Sequence, residues 1–164
     1  MNANDLNAMT SEDARNALTR CCGSARWVDL MLARRPFASS ADVLAAADAV
    51  DAALTRDDWL AAFAAHPRIG DIDTLKKKFA TTAALCEGEQ AGVAAANDDT
   101  LRQLAKGNTD YEARFGHIFI VCATGKSADE MLAILQARLP NDPETELRIA
   151  AGEQAKITRI RLEK

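Results

Sequence analysis

None of the four cysteines, Cys21, Cys22, Cys86 and Cys122, belongs to a Cys-x-x-Cys pair. That removes the zinc-ribbon and thioredoxin-type readings. The two histidines, His66 and His117, lack His-x-x-x-His spacing, so no dedicated metal site is expected. There is no basic tract of the kind that tracks phosphates. The formal net charge is −4, both signs are interspersed, and Lys76-Lys77-Lys78 reads as a solvated helix face. Nucleic acid is therefore not an expected partner. No apolar run approaches the ~20 residues of a membrane helix, so no membrane association is expected either. The opening Met1-Asn2-Ala3-Asn4-Asp5 lacks the basic and apolar regions of a signal peptide, and the closing Leu162-Glu163-Lys164 is not a peroxisomal address. Vicinal Cys21-Cys22 would make a poor disulfide, and reduced thiols in a cytoplasmic setting are the simplest account. No linker, repeat or low-complexity tract interrupts the chain.

The 164 residues can bury one real core, so a single domain over 1–164 is expected. Alanine is abundant and β-branched residues are few outside short runs, which favours helix. Start signals and periodicity predict an all-α bundle of about eight helices. The first spans Ser11 to about Cys21, capped by Ser11. The second follows Gly23-Ser24 and runs to Arg35, where Pro36 stops it. The third opens at Ser39-Ser40 and ends near Leu54. In Thr55-Arg56-Asp57-Asp58 the Asp58 carboxylate can reach back to the Thr55 amide, opening a fourth helix that ends at His66-Pro67. Further helices are expected at Asp73–Phe79 and over 82–96. A long one, capped by Asn97, should run from Asp98 to Phe115, with Gly116 as its stop. His117 to Ala123 reads as a buried extended segment or a short buried turn. Ser127-Ala128-Asp129-Glu130 is a second capping box, and Asp142-Pro143 opens the last helix.

Three groups could carry chemistry. His66 ends the apolar stripe of Trp59 and Phe63, and Pro67 fixes the chain's exit. An imidazole at a rigid helix end suits acid-base work near neutral pH. From position alone, a buried histidine bonded to a carbonyl is the commoner account. Glu89 and Gln90 sit between Gly88 and Gly92, which let backbone approach a ligand; a glutamate there can orient a histidine and share its proton. Taken singly, an exposed Glu-Gln at a helix start is the commoner account. Arg161 follows Leu147, Ala150, Gln154 and Ile157 on one face of the last helix, while Arg159 points away. An arginine there needs an anionic or carbonyl partner, unless it snorkels from a frayed end. Cys122 beside His117 lies in an apolar run and reads as an inert core thiol, not a nucleophile.

In this order the strings resemble the 2-oxo-4-hydroxy-4-carboxy-5-ureidoimidazoline (OHCU) decarboxylase family. They are Ala65-His66-Pro67-Arg68-Ile69-Gly70, then Gly88-Glu89-Gln90-Ala91-Gly92-Val93, then Tyr111-Glu112-x-Arg114-Phe115-Gly116-His117-x-Phe119-Ile120-Val121-Cys122-Ala123-x-Gly125. The end joins them: Arg138-Leu139-x-Asn141-Asp142, Glu144-x-Glu146, and Lys156-Ile157-x-x-Ile160-Arg161-Leu162. The resemblance implies an all-helical, cofactor-free, usually dimeric enzyme that makes (S)-allantoin from OHCU. It implies His66 and Glu89 as the catalytic pair, with substrate contacts from Pro67, Cys86, Gln90, Phe119, Ile120 and Arg161. At Cys86 the family often has serine, and a thiol is the weaker donor. The resemblance also implies that His66, Glu89 and Arg161 line one pocket, with Phe119 or Ile120 in its wall. The competing readings are a helical interaction domain without chemistry and a hydrolase acting on a related ureide ring. Convergence of the three side chains separates the first from an enzyme, and the products separate the second.

Overall fold

The computed structural model describes residues 1–66 and 91–164, the side chains of 91–97 excepted. The fold is all-α, with eight helices and no strand among the described residues. They are α1 (Ala3–Ala8), α2 (Ser11–Cys21), α3 (Ala25–Leu32), α4 (Ser40–Ala53), α5 (Arg56–Ala64), α6 (Ala91–Phe115), α7 (Ala128–Arg138) and α8 (Pro143–Glu163). The chain forms two compact units, one of residues 1–66 with 151–164 and the other of 67–150.

In the first unit short polar residues start the helices by accepting orphan backbone N–H groups. Thr10 accepts from the Asp13 amide at 3.1 Å, so the α2 cap lies one residue before the expected Ser11. Ser24 accepts from Trp27 at 3.3 Å, and Ser39 from Asp42 at 3.2 Å. At α5 the Thr55 amide donates to the Asp58 carboxylate at 2.8 Å, as the capping box requires. The buried faces follow helical spacing: Ala14, Ala17, Leu18 and Cys21 on α2, and Val43, Ala46, Ala47 and Val50 on α4. Leu18, Cys21 and the α4 face close with Leu6, Trp27, Val28, Met31 and Leu162 into one core. Helix α1 was not expected. It is six residues long, and the Asn2 side chain caps it through the Asp5 amide at 2.8 Å. The α3 helix ends at Leu32 and not at Arg35. Instead of extending the helix, Arg35 turns its guanidinium onto the Leu6 and Met9 carbonyls, at 2.8 and 3.0 Å. These are C-terminal groups of α1, where a cation is favoured.

Gly23, between α2 and α3, carries a packing constraint. A Cβ built there would stand 2.3 Å from Cβ of Ala65, the residue before His66. Neither atom can rotate away, so Gly23→Ala must move backbone. Overpacking of this kind costs about 1–3 kcal/mol. Urea denaturation should show a loss of that size, and a variant as stable as the parent would mean that the approach is not a constraint.

In the second unit α6 packs on α7. Thr100, Leu101, Leu104, Gly107 and Tyr111 form its buried face. A Cβ at Gly107 would lie 2.5 Å from Cδ2 of Leu135, so glycine lets the two helices approach. The helix begins at Ala91 and runs unbroken through Asn97, so the expected start at Asp98 is corrected: one helix stands where two segments were anticipated. Gly116, at φ +78°, ends it, and its N–H bonds the Glu112 carbonyl at 2.9 Å. Residues 118–123 then form neither helix nor strand, with Ile120 and Cys122 buried. Ser127 starts α7 by accepting from Glu130 at 3.2 Å, and Asp142 starts α8 by accepting from Thr145 at 3.0 Å.

Candidate active site

His66 stands just past α5, where its amide closes the last turn on the Phe63 carbonyl at 3.1 Å. Its ring is half-buried, and Nε2 lies 2.5 Å from Oε1 of Gln154 on α8. Gln154 is buried and donates from Nε2 to the Thr158 hydroxyl at 3.1 Å, one turn further along the same helix. Thr158 is buried as well and interacts with the Cys22 thiol. Burial pushes that thiol up to about 11, with a smaller contribution from the Asp51 carboxylate. Sulfur therefore stays protonated and uncharged near neutral pH. A line of neutral polar groups thus runs from the imidazole into the core.

Arg161 is seven residues beyond Gln154, hence on the same face of α8 and about 10 Å along it. From Nη1 it donates to the carbonyls of Arg20 and Cys21, at 3.4 and 3.5 Å. These are the last carbonyls of α2, and a cation is favoured at that negative helix end. The carbonyl partner expected from its position is present. A guanidinium has five N–H donors, and both bonds leave from Nη1. Arg159, as anticipated, points elsewhere and pairs with Asp48 at 3.1 Å. Pro67, Cys86, Glu89 and Gln90 lie outside the described residues. So do the expected helix at Asp73–Phe79 and the part of the 82–96 segment before Ala91.

In the second unit Phe119 is half-buried and Ile120 buried, and a charged cluster holds both. The Arg138 guanidinium donates from Nη1 to the Ile120 carbonyl at 2.8 Å and lies 4.7 Å from the Phe119 ring centre. Its Nε donates to Oε1 of Glu146 at 2.6 Å. Glu146, fully buried, also accepts from the Tyr111 hydroxyl at 2.5 Å and from the Asn141 amide at 3.1 Å. Burial, reinforced by the bond to Glu146, raises the Tyr111 phenol well above its ordinary range. Each buried charge is thereby paired and hydrogen-bonded, the condition under which burial is tolerated. Neither this cluster nor Gln154 was assigned a role from sequence. The available signal was charge on an apolar face, since Arg138 follows Met131 and Leu135 at helical spacing. Cys122 is a buried thiol, in keeping with an inert core residue. Among the described residues no group of three or more His, Cys, Asp or Glu side chains could hold a metal, and no helix is long and apolar enough to cross a membrane.

Residues 7–163 match the family model for OHCU decarboxylase. The uric acid degradation bifunctional protein TTL of Arabidopsis thaliana is 37% identical over 146 residues, which are 88% of this chain and 44% of that protein. The chain thus spans less than half the length of this bifunctional relative. The 2-oxo-4-hydroxy-4-carboxy-5-ureidoimidazoline decarboxylase of Amia calva is 31% identical over 129 residues, 79% of this chain and 73% of that one. Among solved structures, a crystal structure of OHCU decarboxylase in the presence of (S)-allantoin superposes with a TM-score of 0.71 at 33% identity. It covers 94% of this chain and 96% of the other.

Proposed function

The chain belongs to the OHCU decarboxylase family, and from that membership we propose that it converts OHCU to (S)-allantoin with loss of CO₂, in urate degradation. The observation that carries this is the match along nearly the whole chain, in sequence and in fold, to a decarboxylase crystallised in the presence of (S)-allantoin. One family model spanning 7–163 supports treating the chain as a single functional domain.

Breaking the bond to the departing carboxylate leaves an electron pair on the ring. The substrate accepts it in its own carbonyl and imine-type conjugation, so the chemistry asks for no cofactor. What remains for the protein is to aim the carboxylate, stabilise charge on a ring oxygen and protonate one carbon face. In this proposal His66 exchanges the proton and Glu89 is its electrostatic partner. Gln90 and Arg161 hold the ureido and carbonyl oxygens. Pro67, Cys86 and the Phe119-Ile120 backbone line the site. The double anchoring of His66, through its amide and Nε2, supports its part, because a positioned acid-base group must be held still. Arg138 on the Ile120 carbonyl supports a rigid wall in the same way. The enzyme works as a cytoplasmic homodimer on a free small molecule, with neither nucleic acid nor membrane as partner. Light scattering should return twice the monomer mass.

The test generates the short-lived substrate in place with urate oxidase and the preceding hydrolase. Adding this protein should speed the appearance of optically active allantoin, with one CO₂ per turnover, and chelator should not slow it. A ring-opened acid without CO₂ would replace the decarboxylase with a hydrolase. No acceleration at all would leave a helical interaction domain.

A further inference from the structure

The Gln154 amide is 5% exposed, so both of its polar ends must find partners inside the protein. Its Nε2 donates to the Thr158 hydroxyl, and its Oε1 faces Nε2 of His66. An amide oxygen has no proton to give. At 2.5 Å the proton between them must belong to the imidazole. We infer that Gln154 is a positioning residue that holds His66 with its proton on Nε2, so that Nδ1 is the basic nitrogen of the neutral ring. The inference deepens, and in its catalytic consequence rests on, the proposed role of His66.

Thr158 is 1% exposed and sits beside the Cys22 thiol, so the far end of Gln154 faces the core and not solvent. Reversing the amide would point its N–H₂ at the ring and require His66 to carry its proton on Nδ1. The two arrangements put the basic nitrogen on opposite sides of the imidazole, and only one can face a given substrate atom. A histidine's tautomer is set by the bond its other nitrogen makes.

The test is ¹⁵N NMR of the imidazoles in the whole protein, recorded where the rings are neutral. The chain has two histidines, and the signal missing in His66→Asn identifies the one in question. The expected result is a proton on Nε2 of His66 in the parent. In Gln154→Leu, which keeps the volume without the acceptor, the tautomers should mix. There kcat should fall about tenfold or more with KM within about twofold, since the loss lies in proton transfer and not in binding. A proton on Nδ1 in the parent overturns the inference, and that measurement stands even if Gln154→Leu fails to fold. A Gln154→Leu protein with parental tautomer and kcat overturns it too. Should His66→Asn keep full activity while the parent ring carries its proton on Nε2, the tautomer assignment holds and the catalytic role of His66 is what fails.

Discussion

His66→Asn should fold like the parent, bind an allantoin-like ligand within about an order of magnitude of the parent's affinity, and turn over at least ~10²-fold more slowly. Asparagine keeps some size and polarity but cannot exchange a proton near neutral pH. In the parent, Gln154 and the Phe63 carbonyl hold the histidine's ring and backbone. Asparagine can keep the backbone bond, so loss of the helix end is not expected to confuse the result. The uncatalysed decay of the substrate yields racemic product, so the rate must be scored as optically active allantoin by circular dichroism. A folded variant producing it at the parent rate would remove His66 from the chemistry. Glu89→Gln should lose activity too, though less, because the imidazole would remain without its counter-charge.

The largest effect on stability is expected from Glu146→Ala. It leaves the Arg138 guanidinium buried without its counter-charge, and the Tyr111 hydroxyl and Asn141 amide without their acceptor. Removing one member of a buried pair costs about 3–5 kcal/mol. A single domain has only about 5–15 kcal/mol in total, so the variant should be close to unfolding at 37 °C. Arg138→Met combined with Glu146→Leu should recover much of the loss, because two apolar side chains leave no orphan charge. Urea midpoints for the three proteins decide this. If Glu146→Ala shifts the midpoint no more than a surface substitution, the pair is not desolvated in solution. If the double variant is no better than the single one, hydrogen-bond geometry matters more here than orphaned charge.

What could be read from sequence divides along the range of the interactions involved. Helix starts are local. The Thr55–Asp58 box, the Ser127–Glu130 box and Asp142-Pro143 each need four residues or fewer, and all three helices begin where those residues stand. Gly116 was legible for the same reason, since its positive φ is a local demand. Local rules misled at Asn97, a good cap residue that lies inside α6. They also missed α1, too short for its periodicity to register. The site divides likewise. His66 and Arg161 were visible as polar residues closing apolar stripes. Gln154 was on the same stripe, but its partner is 88 positions away, and neither composition nor spacing shows that. The Tyr111, Arg138 and Glu146 cluster spans 35 positions and became visible only when three helices and the segment of Ile120 had been put in place.

The placement of chromophores offers one more use. Both tryptophans, Trp27 and Trp59, belong to the first unit, and Tyr111, the lone tyrosine of the sequence, belongs to the second. Indole emission therefore reports on one unit alone. Tyrosinate absorbance reports on the other, because a buried phenol bonded to Glu146 resists ionisation until its surroundings open. An alkaline urea titration read at both signals would show whether the units unfold together or in sequence. Applied to Glu146→Ala, it would show whether damage in the second unit reaches the one that holds His66, without any label being introduced.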